Sequence, residues 1–108
     1  MPIQSDPASV AISGLLTIRS VAQGKEAISA SFADRNDVVL DISPDSDADI
    51  SGIQLILSAL LYARSAGKQL SLSAPVSGAV LGVLERGGFL EKMTFEDRQF
   101  WLHDGVRK

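Results

Sequence analysis

The segment that most constrains the fold is an apolar strand followed, after a short polar loop, by a long apolar helix. Residues 37–43 read DVVLDIS, a β-branched run that is continuously apolar at its centre. This pattern is typical of a strand covered on both faces of a sheet. A helix is predicted over residues 51–66, because apolar residues recur there at helical spacing and Gly67 stands at the expected left-handed C-terminal cap. Together these elements indicate a parallel sheet with helical crossovers.

The first third of the chain predicts two strands and a helix. Short apolar segments at residues 9–13 and 15–18 flank Gly14, which predicts two strands joined by a tight turn and antiparallel pairing near the N-terminus. Ser20 is followed three residues later by Gln23, the spacing of a capping box. A helix over residues 21–33 is therefore expected, with Val21, Ile28 and Phe32 on one face.

The last third predicts a strand, a helix and a short final strand. Residues 69–73 alternate polar and apolar side chains, and Pro75 precedes an apolar run that ends at Gly87 and Gly88. These patterns predict a half-buried strand and then a helix over residues 76–86. Residues 92–95 are predicted to form a last short strand, and residues 98–103 are compatible with either a helix or a strand.

The order of these elements predicts a single small α/β domain. The sheet is expected to be mixed, mostly parallel and four- to five-stranded, with three or four helices packed on it. A length of 108 residues fits one domain. Residues 1–8 hold two prolines and are expected to be a flexible N-terminus, so that the folded domain covers residues 9–108.

Composition and charge exclude several classes of function. The chain has no cysteine, which excludes a thiol nucleophile, a disulfide scaffold and a cysteine-based zinc site. Its net charge is −3 and its basic residues are scattered, so we expect no nucleic-acid binding. No secretory signal is visible, and no apolar run approaches the ~20 residues that span a bilayer. We expect a cytoplasmic protein without membrane insertion.

Candidate catalytic, metal and cofactor sites are weak. His103 is the only histidine, and no nucleophile-elbow pattern accompanies any serine. Asp45, Asp47 and Asp49 have the spacing of the first ligands of an EF-hand, but Ile50 and Ile56 occupy the positions that need glycine and glutamate. No dinucleotide-binding or P-loop glycine pattern is present. We therefore predict no enzyme activity, no metal and no cofactor.

One constellation resembles a known family. A strand ending in Asp41-Ile42-Ser43 is followed, after a spacer, by Asp49-Ile50-Ser51-Gly52 at the start of the apolar helix. This resembles the signature of the STAS domain, the fold of bacterial anti-sigma factor antagonists, in which an Asp-Ser-Ser-Gly motif opens a long helix. The resemblance covers residues 9–95. Two departures are visible: Ile50 replaces the first serine or threonine of the motif, and residues 44–48 form an acidic spacer where the family has a mostly apolar one.

The resemblance implies a signalling role for this loop. By position, Ser51 is the phospho-acceptor, and Asp49, Ile50 and Gly52 complete the switch loop. The unphosphorylated domain would bind a serine kinase, an anti-sigma factor or a related regulatory protein, and phosphorylation would weaken that complex and regulate transcription. The residues alone are also compatible with Ser51 as a plain helix N-cap, paired with Gln54 in a capping box.

The predicted helix over residues 51–66 carries two apolar stripes. One is expected to face the core, and it comprises Ile53, Ile56, Leu57, Leu60 and Leu61. The other includes Leu55 and Tyr62, and is either covered by a neighbouring helix or a docking face for a partner.

Two alternative functions remain open at this point. The first is a non-switched STAS-like subunit of a signalling or lipid-transport assembly, which the acidic spacer favours. The second is a small serine hydrolase, which requires His103 within hydrogen-bond reach of Ser51.

Overall fold

A computed structural model describes residues 8–103 of the chain. Its elements, in chain order, are β1 (Ala8–Ala11), α1 (Val21–Asp34), β2 (Asp37–Asp41), α2 (Ile50–Ala66), β3 (Gln69–Leu72), α3 (Gly78–Arg86), a 3-10 turn (Leu90–Lys92) and α4 (Phe95–Leu102). The expectation of three or four helices is confirmed. The proposed flexible N-terminus lies outside the described residues, except for Ala8, which belongs to β1.

The three described strands form one parallel sheet in the order β1-β2-β3. Leu40 of β2 lies in register with Val10 of β1 and Leu72 of β3. The parallel arrangement is therefore confirmed, whereas the expected antiparallel pairing and the expected four or five strands are wrong for residues 8–103.

Two predicted strands do not form, because the residues of each segment make other backbone hydrogen bonds. In residues 15–18, the Leu15 N–H donates to Ile12 O and Leu16 O accepts from the Asp49 N–H. This segment is thus a turn that holds the start of α2 instead of pairing in a sheet. Residues 92–95 run from the last residue of the 3-10 turn to the first residue of α4, and Thr94 and Asp97 form a reciprocal capping box that opens α4 there.

Helices α1 and α2 are the crossovers that connect the strands. Both helices contact the sheet and each other. Beneath them, Val38, Leu40, Leu70 and Leu72 are buried, whereas Val39, on the opposite face of β2, is only half-buried. The expectation that residues 37–43 are covered on both faces is therefore met on one face only.

The core draws on every α-helix and strand. Its most completely buried large side chains are Ile12, Leu16, Leu40, Ile53, Ile56 and Leu84. Gly67 ends α2 in the left-handed region with φ 72°, as predicted. In contrast, the predicted capping box of α1 is wrong: Ser20 is the N-cap residue, but its side chain accepts no backbone N–H and lies 3.4 Å from Thr17 O. Within residues 8–103, no helix is long and apolar enough to cross a membrane.

Candidate functional site

The start of α2 is organised by the carboxylate of Asp49. Its Oδ1 accepts from the Ser51 N–H at 2.9 Å and the Gly52 N–H at 3.4 Å, and its Oδ2 accepts from the Ile18 N–H at 2.9 Å. Asp49 is therefore the N-cap, and the predicted capping box of Ser51 with Gln54 is wrong. The reason is that α2 begins at Ile50, so that Ser51 already lies inside the helix.

These hydrogen bonds also set the charge state of Asp49. The Ile18 N–H contributes most to holding the pKa of the Asp49 carboxyl below its ordinary value of 3.8, and the Ser51 and Gly52 N–H groups add to this effect. Desolvation opposes the shift without reversing it. Asp49 is consequently ionised at neutral pH, and its negative charge compensates the partial positive charge of the helix N-terminus.

The acidic spacer before Asp49 is tied to the turn that follows β1. Ser46, the one buried polar side chain of the described residues, accepts from the Gly14 N–H at 3.1 Å and donates to Asp47 O at 3.1 Å. The Ser43 N–H donates to the Ser13 hydroxyl at 2.6 Å. The spacer is therefore held against a second loop at Ser46 and at the preceding Ser43, although Asp45 and Asp47 face solvent.

Gly52 faces the interior of the domain. A Cβ atom at this position would lie 2.3 Å from Leu16 O and 2.7 Å from Leu16 Cβ. The close approach that requires glycine here is therefore between α2 and the chain's own turn. Ile50, in contrast, is 46% exposed beside Ser51, so the residue that departs from the family motif presents an apolar side chain at the surface.

A groove of about 620 Å³ runs between α1 and α2, and we call it the helix groove. Its apolar lining comprises Ile18, Val21, Ile28, Phe32, Leu55 and Tyr62. Ser51 lines it at the N-terminal end of α2, and Lys25 is its only charged lining residue among those described. The structure thus brings the predicted phospho-acceptor and both predicted docking residues, Leu55 and Tyr62, to one surface.

Comparison with known proteins decides the family. The family model STAS_2, described as "Mlab, STAS domain", matches residues 1–94. The chain belongs to the STAS domain family. No curated protein and no solved structure matched the chain significantly.

The second apolar stripe of this STAS domain is covered in part and open in part. Ala59, which lies on the same stripe, is buried, while Tyr62 remains 50% exposed with its ring in an edge-to-face contact with Phe32, 5.4 Å between centroids. Leu61, which the helical spacing placed in the core, is 65% exposed. That expectation is wrong because the core-facing arc of α2 is centred on Ile53, Ile56 and Leu60.

The residues tested for catalysis do not come together in the STAS domain. Ser51 lines the helix groove, whereas His103 caps the end of α4 and lines a separate groove beside β3. No hydrogen bond joins their side chains. The arrangement that a serine hydrolase requires is absent from the described residues, and so is any group of three or more acidic or histidine side chains placed to hold a metal ion.

The half of the helix groove contributed by α1 and by the turn before it was not predicted as part of the site. Lys25 and Ile18 belong to no recognisable sequence motif. Only their position opposite α2 in the structure identifies them as groove residues. The signal that could have found this half is the apolar face shared by Val21, Ile28 and Phe32.

Proposed function

We propose that this STAS domain is a regulatory module that binds a partner protein in the helix groove, and that phosphorylation of Ser51 releases the partner. The observation that carries the proposal is the position of Ser51, which lines an open apolar groove next to the exposed side chain of Ile18. A serine kinase or an anti-sigma factor is the partner class that the family resemblance implies.

The groove has the composition of a protein-docking surface. Ile18 is 70% exposed and Tyr62 is 50% exposed, so their burial by a partner would contribute favourably to binding. Tyr62 is held by its ring contact with Phe32, and a rigid aromatic side chain loses little entropy when it is buried at an interface.

Phosphorylation would change this surface through charge. A phosphoserine adds about −1.5 to −2 charges at pH 7. At Ser51 this charge would meet the Asp49 carboxylate, which already occupies the Ser51 and Gly52 N–H groups that could otherwise stabilise a phosphate. These N–H groups of α2 are therefore not free to compensate the added charge, and a charge at the end of an apolar groove opposes desolvation by a partner.

A second candidate function is a constitutive subunit of a larger assembly. The family model that matches carries the description Mlab, and Ile50 extends the exposed apolar surface where the motif has serine or threonine. In this case the helix groove is a permanent interface, and Ser51 serves only as a residue of the first helical turn.

A pull-down from lysate of the source cells distinguishes the two functions. The baits are the wild-type chain, Ser51→Asp, Ser51→Ala and the control Ser65→Asp, which places the same charge on α2 outside the helix groove. We expect a kinase-like or regulatory protein to bind wild type, Ser51→Ala and Ser65→Asp and to be lost from Ser51→Asp, with mass spectrometry detecting phosphate on Ser51. Equal capture by wild type and Ser51→Asp would refute the switch and favour the constitutive subunit.

A further inference from the structure

Among residues 8–103, the outer edge of β3 carries backbone groups that have no hydrogen-bond partner. The Gln69 N–H donates to Asn36 O at 2.8 Å and the Ser73 N–H donates to Leu40 O at 3.0 Å, so these residues direct their backbone groups toward β2. Because backbone groups alternate in direction along a strand, the N–H and C=O of Leu70 and Leu72 point away from β2. In the sheet of the described residues, no strand lies on that side.

These outward-facing groups lie on residues that are almost fully covered. Leu70 is 7% exposed and Leu72 is 4% exposed, and within residues 8–103 no hydrogen bond reaches their outward N–H or C=O groups. Buried backbone groups are nearly always paired in folded proteins. An edge with alternating unpaired donors and acceptors is a template for one more strand.

A groove of about 500 Å³ runs along this edge between β3 and α4, and we call it the edge groove. Its apolar lining includes Leu60, Phe95 and Phe100, and the ring of Phe95 is 67% exposed. Its charged and titratable lining consists of Arg64, Lys68, His103 and Glu96. The two cations Arg64 and Lys68 thus outnumber the single carboxylate, which lies 3.9 Å from Arg64, while the Lys68 ammonium also donates to Phe32 O at 2.7 Å.

We propose that the edge groove binds an extended, acidic segment of a partner protein, which adds to β3 as a fourth strand. The unpaired groups of Leu70 and Leu72 would supply the main-chain hydrogen bonds, and the apolar lining would receive alternate side chains of the segment. The excess of cationic groups favours an acidic residue in it. This site is separate from the helix groove and does not depend on Ser51.

The position of α4 favours a single extended segment over a second copy of the chain. Helix α4 contacts β3 and forms one wall of the edge groove. A single extended segment needs less room beside α4 than a folded second copy does, so a groove of about 500 Å³ favours the segment.

Hydrogen exchange followed by NMR tests the edge in the free protein. We expect the amides of Leu70 and Leu72 to exchange at least about tenfold faster than the amide of Ser71, which faces β2. Equal protection of all three amides would show that the edge is already paired, and would overturn the proposal.

The binding test uses a displayed library of random ten-residue peptides, selected on the full chain. Enriched peptides should alternate apolar residues, carry Asp or Glu and slow the exchange of the Leu70 and Leu72 amides. N-methylation at alternate backbone positions of a selected peptide should abolish binding, and N-methylation at the intervening positions should not. We expect Phe95→Ser to weaken binding about tenfold, while the matched control Ile18→Ser, in the helix groove, leaves it unchanged.

Three results would contradict this assignment. The first is a library that yields no enriched peptide. The second is an N-methyl scan in which binding does not alternate between sensitive and insensitive positions. The third is a selected peptide whose binding is weakened by Ile18→Ser and not by Phe95→Ser. A change in sedimentation that is concentration-dependent and sensitive to Phe95→Ser would identify a second copy as the occupant and would also overturn the proposal.

Discussion

Asp49 illustrates how one residue organises the candidate site. Its carboxylate joins two parts of the chain, because it caps α2 and also accepts from Ile18 in the turn before α1. The hydrogen bond from the Ser51 N–H to Asp49 therefore fixes the position of Ser51 in the first turn of α2. The motif that suggests phosphorylation at Ser51 thus has a structural residue, Asp49, at its first position.

Removal of the Asp49 carboxylate is expected to destabilise the domain. We expect Asp49→Ala to lower the Tm by about 5 °C, the size of shift typical for the loss of a helix cap in a domain of this length. Asp47→Ala is the matched control, since the Asp47 side chain faces solvent in the same loop and makes no described hydrogen bond. Thermal unfolding followed by circular dichroism measures both. Equal Tm values for the two variants would contradict the role of Asp49.

The lowered pKa of Asp49 gives the same variant a defined pH dependence. A carboxyl whose pKa is depressed by folding stabilises the native state above its unfolded pKa, and this stabilisation is lost as the pH falls through the folded value. The Tm difference between wild type and Asp49→Ala should therefore be constant from about pH 7 to pH 5 and shrink below about pH 4. A difference that persists unchanged at low pH would show that the side chain acts without its charge.

Among the elements, α2 depends on a close approach that only glycine permits. We expect Gly52→Ala to destabilise the domain by about 1–3 kcal/mol, because the added methyl would overlap the Leu16 backbone. The matched control is Gly82→Ala in α3, where the nearest atom is the flexible end of Arg86, 3.1 Å away. There the higher helix propensity of alanine should stabilise the domain by up to about 1 kcal/mol.

Urea unfolding of the two alanine variants measures both effects with the same substitution. The sign of the change should differ between them, with the Gly52→Ala midpoint below wild type and the Gly82→Ala midpoint at or above it. Similar midpoints for both variants would mean that the turn at Leu16 moves freely away from α2, and that it does not hold the candidate site.

At the scale of the whole molecule, α4 belongs to the same core as the sheet. Trp101 is 2% exposed, packs edge-to-face on Phe100, and its carbonyl accepts from the Val76 N–H at 2.9 Å. We therefore expect α4 to unfold together with the rest of the domain. The red shift of Trp101 emission and the loss of far-ultraviolet ellipticity should have the same urea midpoint. An earlier fluorescence transition would show that α4 detaches first and that the edge groove is not a stable feature.

Much of the fold follows from local patterns in the sequence. β2 and α2 were predicted from a β-branched apolar run and from helical spacing ended by Gly67, and the parallel sheet followed from the alternation of strands and helices. These features depend on interactions within about 20 residues, which a sequence displays directly. The capping pair Thr94 and Asp97 is an equally local pattern, and it begins α4 where residues 92–95 were predicted to form a strand.

The remaining features were decided by contacts between segments far apart in the chain. Residues 15–18 have the composition of a strand, yet their backbone hydrogen bonds go partly to the start of α2, more than 30 residues away. The sequence by itself determined that Ser51, Leu55 and Tyr62 lie on the first strongly apolar helix after a buried strand. Only the tertiary structure decided that α1 completes a groove around them and that β3 is an edge strand among the described residues, because both features depend on how complete elements pack against one another.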